Sequence, residues 1–330
     1  MERRGVRAGE FELIARYFAP LAAKAPLAFG LTDDAAVLRA AAGQDLVLTT
    51  DTIVSGVHFL PTDPPRSIAQ KLLRVNLSDL ASKGAKPRVY LLNCSLPRDV
   101  GEDWIKAFVE GLAADQVEFG VVLIGGDTTA TSGPLTLSAT LIGEVPRGTM
   151  IRRKGARAGD GIWVSGNIGD AAIGLRLLKG EDLAVSKTLG EPCIERYRVP
   201  KPRVALGLKL RGLAYACLDV SDGLVADLGH MCEVSGVGAE ILAEGVPVSA
   251  AAHRALAAGT MRIGELLTAG DDYELIFAIA TKDEMKLSRV AKSAGVKITK
   301  IGRITRKREI VVRDARYEPL QFDAPGYQHF

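Results

Sequence analysis

The chain has 330 residues, of which 47% are apolar and 25% charged, with a net charge of +3. That length exceeds one ordinary core and predicts a soluble protein of two domains. No basic patch is interleaved with aromatics, no apolar run is long enough for a bilayer, and the charged opening MERRGVRAGE lacks the apolar centre of a secretory signal, which excludes nucleic-acid and membrane partners. Cys94, Cys193, Cys217 and Cys232 are scattered without a CxxC pair, and predict reduced structural thiols in a cytoplasmic protein.

In chain order, Glu10 to Ala23 repeats apolar residues at helical spacing and predicts an amphipathic helix. Gly30 to Val37 places Asp33 and Asp34 between a glycine and a small apolar strand; alone it reads as a polar turn. Leu46 to Phe59, LVLTTDTIVSGVHF, predicts a buried strand whose carboxyl end delivers Thr49, Thr50 and Asp51 to one point, with His58 on a second apolar run. Ser67 to Lys83 predicts a helix stopped by Gly84, with Asn76, Asp79 and Lys83 on one face. Asp79 is too deep in that helix to be a cap. Val89 to Leu96 is a strand, and Asp103 to Phe119 a helix with Trp104, Phe108 and Leu112 in one stripe. Core packing explains the stripe, and Trp104 in the first turn has a flat ligand as its second reading. Val121 to Ile124 is a short buried strand ending in Gly125-Gly126-Asp127-Thr128-Thr129, where glycines let backbone approach a ligand or simply make a tight turn. Leu135 to Gly143 closes this half.

The basic stretch Arg147 to Arg157 marks the boundary, giving domains 1–148 and 149–330. It reads as a solvated linker from which one arginine reaches a phosphate. Gly161 to Ser165, the loop Gly166 to Asp170 and the helix Ala171 to Lys179 form a strand, glycine loop and helix, a generic phosphate-cradling layout. Tyr215 to Val220 is a strand carrying Asp219, and Ser221, Asp222 and Gly223 open the helix Leu224 to Ser235. Ser221 or Asp222 serves as N-cap in the plainest reading, which leaves Asp219 unexplained. AGDDYELIFAIA sets Asp271 and Asp272 before a strand; Ile298 to Ile304 and Glu309 to Arg313 are short strands, and the tail carries Phe322, Tyr327 and Phe330.

Five acidic motifs, GLTDDAAV (30–37), LVLTTDTIVSGVHF (46–59), NLSDLAS (76–82), GGDTT (125–129) and DVSDGL (219–224), are expected to gather at the ends of α/β sheets. One carboxylate pair about 4 Å apart costs on the order of 4 kcal/mol at an effective dielectric near 20, so several pairs rival the roughly 5–15 kcal/mol stability of a domain. Divalent cations resolve this, and an all-oxygen set of Asp and Thr suits Mg²⁺ rather than zinc. Mg²⁺ shares its shell with phosphates, so the residues point to ATP chemistry assisted by several Mg²⁺ ions. They do not name the acceptor.

In this order, GEFELIARYF, GLTDDAAV, TTDTIVSGVHF, NLSDLASKGAKP, GGDTT, RRKGARAGD, VSGNIGDAAIGL, DVSDGLVADLGH and GDDYEL resemble the thiamine-monophosphate kinase family over nearly the whole chain. That family is part of the superfamily of aminoimidazole ribonucleotide synthetase, selenophosphate synthetase and a hydrogenase maturation factor. The resemblance implies a two-domain α/β aminoimidazole ribonucleotide synthetase-like fold. It implies an N-terminal sheet pairing across a homodimer, a C-terminal layered α/β domain, and ATP in the cleft between domains. It also implies phosphorylation of thiamine monophosphate to the diphosphate by direct in-line transfer. By motif position, Asp34, Thr49, Thr50, Asp51, Asp79, Asp127, Asp219 and Asp222 resemble the Mg²⁺ ligands, with Asp51, Asp79, Asp127 and Asp219 central to catalysis. Gly126, Asp127, Arg153, Ser221 and Trp104 resemble the ATP contacts, and His58 and Asp271 the substrate contacts.

Three positions depart from the family: Asp271 where glutamate is usual, Ala324 where an aromatic is usual, and Thr32 for a glycine. Phe322 or Tyr327 is then the candidate to cover the substrate rings. The alternatives are a sibling enzyme of the superfamily, a non-catalytic nucleotide-binding relative, or purely structural acidic turns. No cysteine precedes Cys94, as selenophosphate synthetase would need, and none of the five motifs has lost its carboxylate.

Overall fold

The computed structural model describes residues 9–328. Most of the charged opening and Phe330 therefore lie outside the described residues. The chain forms two units, residues up to 80 with 86–148, and 81–85 with 149–330.

The first unit begins with α1 (Glu10–Leu13), which passes into a wide turn at Ile14–Phe18 and a tight one at Ala19–Ala22. The regular helix expected to Ala23 is interrupted by Pro20, which has no N–H to give the ladder. Its apolar side still packs: Leu13, Phe18 and Leu21 are buried. Four strands follow, β1 (Gln44–Val54), β2 (Lys86–Pro97), β3 (Val122–Thr131) and β4 (Thr136–Pro146), ordered β1-β4-β2-β3. β1 and β2 run antiparallel to β4, and β2 parallel to β3. A parallel pair needs a crossover, here α3 (Glu102–Phe119).

β1 is not the buried strand its apolar start suggests. It is an edge strand, and its side chains alternate between faces: Val47 and Ile53 are buried while Leu48 is 62% exposed. α2 (Pro65–Ser82) is buried along almost its whole length, with Leu72, Leu73, Leu77 and Leu80 inaccessible. α2 and α3 approach so closely that a Cβ on Gly111 would sit 2.3 Å from the Arg66 carbonyl oxygen. Between them Arg74 lies on Asp115, with Nη2 to Oδ1 at 2.7 Å and Nε to Oδ2 at 2.8 Å. The GGDTT segment, expected to leave its strand, continues in β3 to Thr131 because β2 pairs with it through Pro97.

The second unit is a six-stranded sheet ordered β10-β7-β9-β5-β8-β6. In chain order its elements are β5 (Gly161–Ser165), α4 (Asp170–Leu178), α5 (Lys187–Arg198), α6 (Val204–Leu210), β6 (Ala216–Asp219), α7 (Leu224–Ser235) and β7 (Gly238–Leu242). Then come α8 (Ala250–Ala258), α9 (Ile263–Thr268), β8 (Leu275–Ile279), α10 (Glu284–Ala294), β9 (Ile298–Thr305) and β10 (Ile310–Arg313). β8 reads as a continuous apolar run because both its faces are covered. Ile276 and Ala278 join the cluster with Leu224 and Leu228 of α7, and Leu275, Phe277 and Ile279 join the one with Leu206 of α6 and Leu287 of α10. Among the described residues no helix is long and apolar enough to cross a membrane.

Arg74 and Asp115 are 8% and 0% exposed, so removing one leaves the other charged in the core. Arg74→Met is expected to lower unfolding stability by about 3–5 kcal/mol in denaturant titration, and the double replacement Arg74→Met with Asp115→Leu to recover most of that loss. A double variant no better than the single one would show that the pair is not the source of the loss.

Candidate functional site

The acidic motifs sort into two groups, one in each unit. In the first, β1 turns Thr49 and Asp51 to the face that also carries Val47 and Ile53, because alternate residues of a strand share a face. The Thr49 hydroxyl donates to Oδ2 of Asp79 on α2, so the strand and the mid-helix carboxylate meet there. Thr50 points to the other face. Its hydroxyl accepts from Thr140 Oγ1 at 3.0 Å and donates to the Ala139 carbonyl at 3.2 Å. The expectation that both hydroxyls meet Asp51 at one point is thus corrected by the two-residue period of the strand. Asn76 and Asp79, three residues apart inside α2, share a face, on which Asn76 is fully buried with Nδ2 on Leu72 O. Lys83 lies past the helix end, and its Nζ donates to Cys217 O at 3.1 Å.

Asp127 follows Gly126, whose φ is +153° and whose added Cβ would fall 1.8 Å from the Leu92 carbonyl oxygen. Only glycine fits that approach. Burial first, and the charge of Asp127 second, push the Cys94 thiol up to about 12. Asp127 itself is exposed and pairs in register with exposed Asn93 of β2, one residue before buried Cys94. Asp34 is exposed on segment 32–43, outside helix and strand, its N–H held by the Asp33 carboxylate at 2.8 Å. Nδ1 of His58 accepts the Val54 N–H at 3.1 Å, so in the neutral ring the proton is on Nε2. Trp104 stacks on Phe108 with centroids 5.1 Å apart, the core reading of that stripe; its ring is half-buried.

In the second unit, Asp219 ends β6 at 8% exposure. The loop after it is not capped as expected. The N-cap of α7 is Gly223, without a side-chain cap, and Oδ2 of Asp227 reaches back to accept the N–H groups of Ser221 and Asp222, both at 3.0 Å. Burial, then the charge of Asp219, push the Asp227 carboxyl up to about 8, against the lowering effect of its own hydrogen bonds. Asp222, Asp227 and His230 bring ligand atoms within 4.8 Å of one another. The two carboxylates supply the hard oxygen donors that Mg²⁺ takes, and His230 adds a nitrogen beside them. Arg153 is exposed beside Arg152, whose carbonyl accepts the Cys217 N–H at 3.0 Å and so ties the basic stretch along β6.

The GDDYE turn is bound to this loop through the main chain. Asp271 N–H donates to Ser221 O, Tyr273 N–H to Val220 O and Val220 N–H to Glu274 O, each at 2.8 Å. Asp271 and Tyr273 have φ of 71° and 48°, which cost about 1–2 kcal/mol each for a residue with a Cβ. Asp272 is buried and its Oδ2 accepts the Gly169 N–H at 2.7 Å. The glycine loop before α4 is therefore not a phosphate cradle, as its layout suggested: a carboxyl oxygen of the chain itself takes the Gly169 N–H there. Burial raises the Asp272 carboxyl despite that bond.

Asp227, Glu274, Arg196 and Arg203 were missed in the sequence, and Asp272 was placed before its strand without a role. Asp227 had a signal, a carboxylate inside the apolar stripe Leu224, Val225 and Leu228, three residues before His230. Glu274 stands at the head of an all-buried strand, where an unpaired charge is not tolerated. Of the tail aromatics, Phe322 packs on the core cluster of α7, while Tyr327 is 49% exposed with its N–H on Asp222 O at 2.9 Å. All four cysteines are free and buried, and burial pushes each thiol up to about 12.

Residues 32–145 match the family described as AIR synthase related protein, N-terminal domain, and residues 157–315 its C-terminal domain. The chain is 40% identical to thiamine-monophosphate kinase of Salmonella typhimurium over 98% of both chains. It is 42% identical to that of Caulobacter vibrioides over 89% of this chain and 83% of that protein. Among solved structures, thiamine-monophosphate kinase from Stenotrophomonas maltophilia superposes with a TM-score of 0.81 at 43% identity, covering 92% of this chain and 96% of that one. AaThiL complexed with AMPPCP and TMP superposes with a TM-score of 0.76 at 30% identity, covering 98% and 97%.

A carboxyl whose folded value is raised stabilises the fold most below its unfolded value and loses that contribution as pH rises through the folded one. For Asp227 that window runs from about 4 up to about 8. In chelator, the wild type is expected to lose on the order of 3 kcal/mol relative to Asp227→Asn between pH 5 and pH 9, measured by denaturant unfolding. Parallel pH profiles for the two proteins would contradict the assignment.

Proposed function

The chain belongs to the thiamine-monophosphate kinase family, and from that premise we propose how its residues divide the reaction. The activity is ATP-dependent phosphorylation of thiamine monophosphate to thiamine diphosphate. The observation that carries it is likeness across both units at once, 98% of the chain, with every acidic motif present.

The attacking group is a phosphate monoester, whose second pKa of about 6 leaves it mostly dianionic at neutral pH. No general base is required, and direct transfer without a phosphoenzyme follows. The obstacle is the repulsion of two polyanions. Bound Mg²⁺ supplies the charge neutralisation that this chemistry needs. In the first unit Asp34, Thr49, Asp51, Asp79 and Asp127 would hold it, with Thr50 contributing through its main chain because its hydroxyl is engaged on the other face. In the second unit Asp219 and Asp222 would do so. Asp51, Asp79, Asp127 and Asp219 are the carboxylates on which turnover depends most.

Gly126 offers main chain where a side chain is sterically excluded, which suits close contact with ATP phosphates beside Asp127. Arg153 and Ser221 are the further ATP contacts, and Trp104 offers the nucleotide what remains of its half-buried ring beside Phe108. His58, an Nε2–H donor when neutral, and Asp271 contact thiamine monophosphate. Tyr327 is favoured over Phe322 to cover its rings, because Phe322 is used in packing. A homodimer paired through the first sheet and a cytoplasmic location complete the proposal; the exposed Leu48 on edge strand β1 supports the former, and a monomer in light scattering would remove it.

Incubation with ATP, Mg²⁺ and thiamine monophosphate is expected to give the diphosphate and ADP, while free thiamine gives no product. Diphosphate made from free thiamine with release of AMP would overturn this. Asp51→Asn is expected to lower kcat at least about 100-fold with an unchanged unfolding midpoint; near-normal turnover would remove Asp51 from its role.

A further inference from the structure

The GDDYE turn holds two residues with side chains, Asp271 and Tyr273, at φ of 71° and 48°. Such a conformation persists only where its surroundings over-determine it. The side chains of the turn alternate. Asp272 and Glu274 point inward at 1% exposure, while Asp271 and Tyr273 are half-buried on the outer side, where the Tyr273 hydroxyl donates to Asp271 Oδ1 at 3.3 Å. The inward anchor is dense. Glu274 accepts from Arg196 Nη2 at 2.7 Å, from Arg203 Nε at 2.6 Å, from Arg203 Nη2 and from the Ser165 hydroxyl. Arg196 Nη2 also donates to the main-chain oxygen of Asp272 at 2.8 Å, so one guanidinium grips two successive inward positions. These partners come from α5, from the segment before α6 and from the end of β5.

Two guanidiniums on one carboxylate at 1% exposure is an expensive way to stabilise a fold, since desolvation offsets most of the attraction. It is an effective way to fix a single conformation. We propose that Glu274, clamped by Arg196 and Arg203, is a positioning residue for thiamine monophosphate. It holds the turn in the conformation that presents Asp271 to the substrate. This rests on Asp271 being a substrate contact. Glu274 touches neither substrate nor metal. It acts at a distance of three residues, through the main chain that its clamp immobilises.

Steady-state kinetics separate this from a purely structural role. Glu274→Gln keeps shape and loses charge, and is expected to raise KM for thiamine monophosphate about tenfold while KM for ATP and kcat stay within about threefold. Arg203→Lys keeps the charge and loses the two-pronged contact; it is expected to raise the same KM about threefold, and carries the test if Glu274→Gln fails to fold. Asp271→Asn should raise that KM by itself, and adding Glu274→Gln to it should give no further increase. An unchanged KM in Glu274→Gln and Arg203→Lys, with activity falling only with the folded fraction, overturns the proposal. So does a full additional KM increase in the double variant. An unchanged KM in Asp271→Asn alone overturns the substrate contact itself, and the positioning role with it.

Discussion

Like charges held at short range by the main chain are the constraint on which the rest depends. In the second unit, the hydrogen bonds between Val220–Ser221 and Asp271–Glu274 lock two acidic loops in register. The carboxylates cannot relax their repulsion by moving apart without breaking those bonds. Burial, and after it the charge of Asp219, pushes the Asp227 carboxyl up to about 8. In the first unit the corresponding junction is the Thr49 hydroxyl on Asp79, where a strand and a helix bring two side-chain oxygens together.

The acidic residues divide into two kinds. Asp227 and Asp272 belong to the scaffold: one gathers the N–H groups of Ser221 and Asp222, the other occupies the N-terminal end of α4 through Gly169. Asp227 holds Asp222 through its N–H, Asp219 is fixed by the pairing of β6 with β8, and Asp271 by its N–H on Ser221 O. This explains how a loop of small residues keeps several carboxylates in fixed places without regular structure. Its own carboxyl oxygens satisfy the backbone donors, so these hydrogen bonds need no bound ligand.

Much of this was legible in the sequence where one rule dominates. α7 and β5 begin and end where the apolar pattern and glycines place them, because each has a face on a core. Thr50 was misread because a cluster in sequence is not a cluster on a strand, where neighbours point apart. The expected cap at Ser221 or Asp222 failed because the helix opens from Gly223, while the Asp227 carboxylate in its first turn reaches back to the N–H groups of both loop residues. The glycine loop looked like a phosphate cradle because nothing local reveals Asp272, more than 100 residues away in sequence. Long-range ion pairs such as Arg203 with Glu274 leave no periodic signature, and only the tertiary structure reveals them.

The central claim is that the crowding of Asp219, Asp222 and Asp227 is relieved by a bound cation. Calorimetric titration of the metal-free protein with Mg²⁺ at pH 7, in two buffers of different ionisation enthalpy, tests it directly. A cation at this cluster favours the charged form of Asp227, so binding should release on the order of one proton per chain, and the observed heats should differ between buffers accordingly. Equal heats in both buffers, with Mg²⁺ bound, would contradict the account.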